Sequence, residues 1–317
     1  MILDVFLVVL PFCTFLFFKD CYLIALYSFY IRIHKISIFK FYNGYHFIMK
    51  FTNCIFYFLA ISLLMTIYNF AESGKGKINN GQDFTKPLPR LVLFCKYQDI
   101  SEFSRAQTFT LRADKPFNLN ERWVVSTRVD LPYTDIRIKK LVGYHYMILS
   151  PKKHERGLSD LSFQALFITP TYGKWTFAFG LKLCFPTAQG KNLGSGKYQM
   201  LPTFSFKYDL KNWINGAWCA FLVRQDFDIG GARSRRSINQ TCLEPIFNFD
   251  LPYNWFVTLA PKIRYNWKHR TWFVPFDIQV GKMLTEKLVL SLEYKKRLVD
   301  NFPVFRQEIE LQLGYFF

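Results

Sequence analysis

The chain has 317 residues, of which 50% are hydrophobic and 19% aromatic, and its formal net charge is +18. Its mean hydropathy of +0.05 is too low for a bundle of membrane helices. Because membrane proteins enrich aromatic side chains where they meet lipid and headgroups, this composition favours a chain that crosses a membrane with half-polar strands. The basic charge alone is compatible with nucleic acid, anionic lipid or an acidic partner.

The first predicted element is a secretory signal at residues 49–73. It combines a basic start at Met49, an apolar stretch and a small-x-small cleavage site ending at Ser73. We therefore predict that translation begins at Met49 and that residues 1–48 are an upstream segment. The alternative is an uncleaved helix at residues 51–70, which is long enough to span a bilayer. If the signal directs secretion, we expect no nucleic-acid partner.

After residue 100, apolar side chains recur at every second position, which is the period of a β-strand. Soluble sandwiches use strands of about five or six residues, whereas membrane barrels use about ten, with aromatic residues at both ends of the lipid face. The twelve residue steps from Trp255 to Trp267 span about 40 Å. After a tilt of about 40°, such a strand covers the apolar band and its aromatic rims. The membrane barrel is therefore favoured.

The pattern predicts an all-β fold: a transmembrane antiparallel barrel of about twelve strands over residues 103–317, with a periplasmic segment at residues 74–102. The predicted strands are 103–111, 123–131, 139–149, 159–169, 174–185, 198–209, 213–226, 238–250, 254–266, 272–283, 287–298 and 304–316. An even number of strands leaves both ends of the barrel in the periplasm. On that basis the outer loops are "RADKPFNLNER", "SPKKHERGLS", "PTAQGKNLGSGK" and "DIGGARSRRS", and the periplasmic turns are "TPTYG", "DLKN", "LPYN" and "PYTDIRIKK".

Charged residues at the inward positions predict a polar lumen, because Lys or Arg on a lipid face costs about 2 to 4 kcal/mol at mid-bilayer. Two interpretations remain open. The lumen passes or binds a small polar or amphipathic molecule, or its charges pair with one another and fill a sealed barrel. The predicted lumen residues are Arg128, Asp130, Asp160, Lys182, Lys207, Arg224, Asp226, Glu244, Lys262, Arg264, Asp277, Glu293, Glu308 and Glu310.

Basic residues crowd the predicted outer loops. There they could pair with phosphates of outer-leaflet lipid, including lipopolysaccharide, through the bidentate geometry that arginine offers. The alternative is a simple contribution to solubility at loop tips. The residues are Lys152, Lys153, Arg156, Arg233, Arg235 and Arg236.

A hydrolase is the third functional class for such a barrel, and it needs a histidine within reach of its nucleophile. Beyond the predicted signal the histidines are His145, His154 and His269, and none lies in a motif with a serine. The seven cysteines fall in no metal-binding spacing. We therefore expect no enzymatic activity, no cofactor and no metal.

Several segments stand out together: "FNLNERWVVSTRVDLP", "GLSDLSFQALFITP", "FPTAQGKNLGSGKYQMLP", "WINGAW" to "DIGGARSRRSIN", and "LPYNWFVTLAPKIRYNWKHRTWFVPFDIQVGKM". They resemble bacterial outer-membrane proteins labelled MetA-pathway of phenol degradation, or transporter-like, over roughly residues 90–317. The resemblance implies a signal peptide, an outer-membrane barrel and a part in the uptake of small hydrophobic or aromatic molecules. In two departures from the family, Ser159 replaces the usual glycine, and "PRLVLFCKYQ" matches only loosely.

The chain closes on "EIELQLGYFF", in which Leu311 and Leu313 are predicted to face lipid and Glu308 and Glu310 the lumen. This stretch is predicted to be the closing strand, whose edge pairs with the first strand so that no backbone polar group remains in hydrocarbon. Its aromatic end, Tyr315 and Phe317, is expected to be recognised by the barrel assembly machinery. The sequence thus predicts an outer-membrane channel for the passive entry of small molecules.

Overall fold

The computed structural model describes residues 79–120, 122–138, 141–142, 148–149, 153–210, 214, 216–299 and 304–317, with the backbone alone at 141–142 and 148–149. The predicted upstream segment 1–48, the predicted signal 49–73, His145 and Lys152 lie outside these residues. Within the described ranges, no helix is both long and apolar enough to cross a membrane.

The described residues form sixteen strands. They are β1 (Arg90–Ser101), β2 (Ser104–Asn118), β3 (Val124–Ile138), β4 (Leu141–Val142), β5 (Ile148–Leu149), β6 (Lys153–Leu158), β7 (Ser162–Ile168), β8 (Trp175–Cys184), β9 (Lys197–Asp209), β10 (Ala217–Gly231), β11 (Asn239–Asp250), β12 (Trp255–Leu259), β13 (Ile263–Asn266), β14 (Thr271–Met283), β15 (Leu288–Val299) and β16 (Gln307–Phe316).

These strands build a closed antiparallel barrel. β6 and β7 both pair with β3 and count as one barrel strand, as do β12 and β13, which both pair with β11 and β14. The sheet closes where β1 pairs with β16. With β4 and β5 paired only to each other, the described residues contribute twelve barrel strands. The predicted fold class is confirmed.

Along most barrel strands, exposed apolar residues alternate with buried residues, and the buried face carries the charged side chains of the interior. On β16, for example, Leu311 is 44% exposed, whereas Glu308 is 4% exposed. In a closed sheet the buried face lines the interior, so the exposed face is an apolar belt suited to lipid. Aromatic rings lie at the edge of this belt, where Trp175 and Tyr208 pack at 4.7 Å between ring centroids.

The two rims of the barrel differ in the length of their connections. Arg90 and Phe316 lie at one rim with the short turns 119–123, 169–174, 210–216, 251–254 and 284–287. The two longest connections, 139–152 and 185–196, lie at the opposite rim, together with shorter ones such as 102–103, 232–238 and 267–270. Because outer-membrane barrels have short periplasmic turns and longer extracellular loops, the first is the periplasmic rim and the second the outer rim.

The first barrel strand differs from the prediction. β1 begins at Arg90, within the segment 74–102 that was predicted to be a periplasmic extension, and pairs with β2 and β16. Residues 139–149, predicted to be a barrel strand, contain β4 and β5, which pair with each other. The alternation in β1 is hard to recognise because Val92 and Phe94 face the interior, so that both faces of the strand are partly apolar.

This earlier start reverses the direction of the next two strands. "RADKPFNLNER" lies in β2 and the turn that follows at the periplasmic rim, so its predicted outer position is wrong. "PYTDIRIKK" begins in the outer half of β3, so its predicted periplasmic position is also wrong. Both errors follow from starting the strand count one strand too late.

Gly180 of β8 lies where a side chain would collide with the backbone of β7. A Cβ added there would lie 2.1 Å from the Ala165 carbonyl oxygen. We expect Gly180→Ala to lower the free energy of unfolding by about 1–3 kcal/mol, because the backbone of β7 or β8 must shift. Urea unfolding of the refolded protein measures the effect. Gly230→Ala is the control, since its Cβ would lie 3.9 Å from Tyr198; equal losses in both variants would contradict this explanation.

Candidate functional site

One charged network lines the lumen on β1, β2, β3 and β8, and we call it the Asp114/Asp130 cluster. Asp114 accepts hydrogen bonds from Arg90 Nε at 2.6 Å and Arg128 Nε at 2.8 Å. Asp130 likewise accepts from Arg112 Nε at 2.6 Å and Lys182 Nζ at 3.1 Å. Four cations surround two carboxylates, so this sector of the wall carries an excess of positive charge.

A second network lies on β14, β15 and β16, and we call it the Lys295 cluster. Lys295 Nζ lies 2.9 Å from Glu293 Oε2 and 2.8 Å from Glu308 Oε1. Asp277 is the cross-strand partner of Lys295, and Glu310 is the partner of Glu293. Four carboxylates thus gather near one ammonium group. Lys295 contacts two of them, whereas both carboxylate oxygens of Asp277 are buried without a hydrogen-bond partner among the described residues.

The other predicted lumen residues on β10 to β13 form smaller groups. Arg224 Nε donates to Asp226 Oδ1 at 2.7 Å. Lys262 Nζ lies 3.8 Å from Glu244 Oε1. Arg264 is the exception, because its buried Nε has no hydrogen-bond partner among the described residues.

Cations and carboxylates are unevenly distributed around the lumen wall. The Asp114/Asp130 cluster, which is rich in cations, and the Lys295 cluster, which is rich in carboxylates, occupy different strands of one wall, with β16 and β1 at their junction. Charges that face a narrow interior are less screened than charges on an open surface. Such a wall can orient a small molecule that carries a charge or a dipole as it passes.

Residues 79–89, which we call the inner segment, reach interior side chains around the periplasmic rim. Asn80 donates to Asp250 Oδ1 at 3.0 Å, and Lys207 of β9 donates to Asp83. Arg90 donates to the Gly81 carbonyl at 2.7 Å. Gly81 has a φ of +74°, a left-handed conformation that favours glycine. These bonds hold the inner segment against the wall at several points.

Apolar contacts hold the same segment on the remaining sides. Phe84 packs on the interior residues Leu166, Ile168 and Ala178 of β7 and β8. Leu88 packs on a cluster formed by Phe256, Met283, Val289 and Phe316. Since its contacts extend from β7 to β16, the inner segment crosses the lumen at the periplasmic rim.

At the outer rim, the loop 185–196 folds over the barrel. Its Leu193 is 6% exposed and packs on Ala106 and Ile136, which are interior residues of β2 and β3. Asp160, predicted to face the lumen, instead binds this loop: its carboxylate accepts from Ser195 N at 2.6 Å and Ser195 Oγ at 2.8 Å.

Glu155 provides a second attachment for this loop. Its carboxylate accepts hydrogen bonds from Asn192 N at 3.0 Å and Asn192 Nδ2 at 2.9 Å. A hydrogen bond from Lys153 and the bond from the Asn192 backbone hold the pKa of the Glu155 carboxyl below its ordinary value. The loop is thus fastened to β6 and to the segment that joins β6 to β7.

Removing the Asp160 carboxylate should release the loop. We expect Asp160→Ala to speed amide hydrogen exchange at residues 188–195 about tenfold or more, because lost hydrogen bonds of this kind are worth about 1–3 kcal/mol. Asp228→Ala is a matched control, since Asp228 accepts from Ile238 N and Ser237 Oγ in the neighbouring loop, both at 2.6 Å. Its effect should be larger at residues 232–238 than at residues 188–195, which contact that loop through Arg235. Equal exchange in both loops of both variants would refute these assignments.

The predicted basic residues at the outer rim take different positions. Lys153 pairs with Glu155 at 2.8 Å, and Arg235 donates to the Lys191 carbonyl. Arg233 and Arg236 are exposed on the loop between β10 and β11. Arg156 belongs to β6 and projects from the exterior of the barrel rather than from a loop tip.

The sequence prediction missed several interior residues, and it placed the terminal aromatic residues on the lipid side. Arg90, Arg112 and Asp114 escaped notice because their segments were assigned to an extension and to a loop. Tyr315 is exposed on the exterior, and its ring packs edge-on against Phe317 at 5.4 Å between centroids. Phe316, between them, is buried in the cluster that contacts Leu88.

The barrel is similar to known outer-membrane channels. A crystallised outer membrane channel from Pseudomonas putida F1 matches it with a TM-score of 0.62 and 12% identity, over 76% of this chain and 100% of that chain. The NanC porin matches with a TM-score of 0.48 and 11% identity (72% and 98% of the two chains), and the KdgM porin with 0.47 and 8% (72% and 99%). No family model and no curated protein matches the sequence. The first likeness supports the fold of a bacterial outer-membrane barrel and agrees with the predicted location.

Proposed function

We propose that this chain is an outer-membrane channel for the passive entry of small amphipathic molecules, closed at its periplasmic rim by the inner segment. One observation carries the proposal: the lumen is lined with charged side chains, and the inner segment, which precedes the first strand, lies across it. A twelve-stranded barrel lies between small barrels filled by side chains and large barrels with open channels. Whether solutes pass therefore depends on what occupies the interior.

The interior wall favours solutes that combine an aromatic ring with a charge. The Arg112 guanidinium lies over the Phe94 ring at 4.5 Å, and the Lys207 ammonium lies 5.4 Å from the Trp218 ring. Both rings are buried and both cations are paired with an aspartate, so an aromatic carboxylate would bind there by taking the place of Asp130 or Asp83. This proposal agrees with the uptake of aromatic molecules that the family resemblance implies.

Solute entry into proteoliposomes tests the proposal. Purified protein is reconstituted, and swelling is followed in isotonic benzoate, phenylacetate, glucose and a series of larger sugars. We expect entry of the small solutes, faster entry of the aromatic acids than of a neutral sugar of similar size, and exclusion of the large sugars. Protein-free liposomes are the control. No entry of any solute, even after removal of the inner segment, would refute the channel.

The second candidate is a sealed barrel with a structural or surface-interaction role. It is favoured by the pairing of most interior charges and by the coverage of both rims by the inner segment and the loop 185–196. A third candidate, a hydrolase, has less support: within the described residues, His154 hydrogen-bonds to Asp135 and to no serine. Phospholipid hydrolysis by the same proteoliposomes would favour that class.

A further inference from the structure

We propose that the exterior of β2, β3 and β6, at the outer rim, binds a phosphate group of the outer-leaflet glycolipid, lipopolysaccharide. The site is a set of four side chains that we call the arginine patch, made up of Arg105, Arg137, His154 and Arg156. It is independent of the proposed channel, because all four side chains project from the outside of the barrel.

Strand register brings the arginine patch together. Arg105 of β2 lies directly across from Arg137 of β3, and Arg137 lies directly across from His154 of β6. Arg156 lies two residues further along β6, across from Asp135. Because adjacent strands are about 4.8 Å apart, the patch places its cationic groups within reach of one phosphate and its oxygens.

The position of the patch corresponds to the level of lipid headgroups. Four residues nearer the middle of these strands than Arg105, Arg137 and His154, the exterior carries Phe109, Tyr133 and Leu158, which are 49%, 42% and 37% exposed. Tyr133 lies directly across from both Phe109 and Leu158, and all three belong to the apolar belt. The arginine patch therefore begins where the belt ends at the outer rim, which is where the phosphates of the outer leaflet lie.

Two aspartates beside the patch, Asp99 and Asp135, neutralise only part of its positive charge. The nearest carboxylate oxygen to Arg105 is on Asp99 at 3.8 Å, and the nearest to Arg137 is on Asp135 at 3.6 Å. Both arginine side chains are about two-thirds exposed, at 67% and 66%. Asp135 is itself hydrogen-bonded to His154 at 2.9 Å. Two arginines directly opposite each other repel, so an external anion between them would be stabilising.

The chemistry of the patch suits a phosphate. Guanidinium groups bind phosphate oxygens in a bidentate manner, whereas lysine acts as a point charge. At the periplasmic end of the same strands, the exterior of β2 carries Lys115, whose ammonium lies over the Phe117 ring. The turn at that end carries one exposed arginine, Arg122, whereas the exterior of the three strands carries three arginines at the outer end. The strand residues, rather than the loop residues Arg233 and Arg236, form the site.

The test compares two charge-matched double variants in detergent. Arg105→Gln/Arg137→Gln removes two patch arginines, and Arg233→Gln/Arg236→Gln removes two exposed loop arginines. Binding of diphosphoryl lipid A is titrated, with dephosphorylated lipid A, phosphatidylglycerol and inorganic phosphate as separate arms. We expect the patch variant to bind diphosphoryl lipid A about tenfold or more weakly, because hydrogen bonds between charged groups are worth about 1.5–3 kcal/mol. The loop variant should bind as the parent does.

Each other outcome would overturn the proposal. Equal weakening in the loop variant would show general electrostatic attraction, and unchanged binding in the patch variant would show that the patch is not the site. Competition by inorganic phosphate at similar concentration would indicate a free-anion site, and equal binding of phosphatidylglycerol would indicate no preference for the glycolipid. The variant Arg105→Lys/Arg137→Lys keeps the positive charge and serves as a control for misfolding of the glutamine variant. It should weaken binding by less than the glutamine variant does.

Discussion

Deleting residues 79–88 is expected to increase the rate of solute entry through the reconstituted barrel about tenfold or more, since a closed state of this kind leaves roughly 10% or less of molecules open. The deletion removes Asn80, Asp83, Phe84 and Leu88, the residues through which the inner segment contacts the wall. No strand pairing is lost, because the barrel begins at Arg90. The barrel should therefore fold and should open at its periplasmic rim.

A length-matched control separates opening from general damage. Replacing residues 79–88 by glycine and serine keeps the chain length but removes the anchoring side chains, so it should open the barrel nearly as much as the deletion does. Heat-modifiability on gels verifies that each variant is folded. If both variants fold and admit solutes at the parental rate, the inner segment does not close the lumen.

The second large effect is expected at Lys295. Lys295→Met should lower the free energy of unfolding by about 3–5 kcal/mol, because removing one partner of a buried ion pair leaves uncompensated charge. The Lys295 side chain is 7% exposed, and its partners Glu293 and Glu308 are 8% and 6% exposed. Urea unfolding in detergent measures the loss.

Two further variants isolate the electrostatic cause. Lys282→Met also removes a lysine, but this residue points outward from β14 and its ammonium lies over the Trp255 ring at 5.2 Å, so its loss should be small. Adding Glu308→Gln to Lys295→Met should restore part of the stability, because one buried negative charge disappears. A triple variant that also carries Glu293→Gln should restore more. If neutralising the carboxylates gave no recovery, the loss would be due to packing rather than charge.

The sequence predicted the faces of the strands better than their boundaries. On β16 the alternation of Glu308, Glu310 and Gln312 with apolar residues was unambiguous, because only one face of that strand is apolar. On β1 the interior positions include Val92 and Phe94, so the apolar pattern does not distinguish lipid from lumen. The strand was therefore missed, and the two strands after it were assigned the opposite direction.

The arrangement of the site could not be read from the sequence, because it depends on contacts between distant residues. Asp83 and Lys207 are 124 positions apart, and their pairing requires the inner segment to turn into the lumen. Likewise, Asp160 sits at a position that alternation assigns to the lumen, yet the loop 185–196 folds back to it. Both arrangements depend on tertiary packing of segments that have no strand period.

The most direct test of the account fixes the inner segment in place and records current. In a background with the native cysteines replaced by alanine, Asp83→Cys and Lys207→Cys place two thiols at the contact between the segment and β9, where a short bis-methanethiosulfonate can join them. In planar bilayers, the account predicts that cross-linking abolishes channel openings, that a reductant restores them, and that neither single-cysteine variant responds. Openings that continue unchanged in protein shown by mass spectrometry to be cross-linked would contradict it.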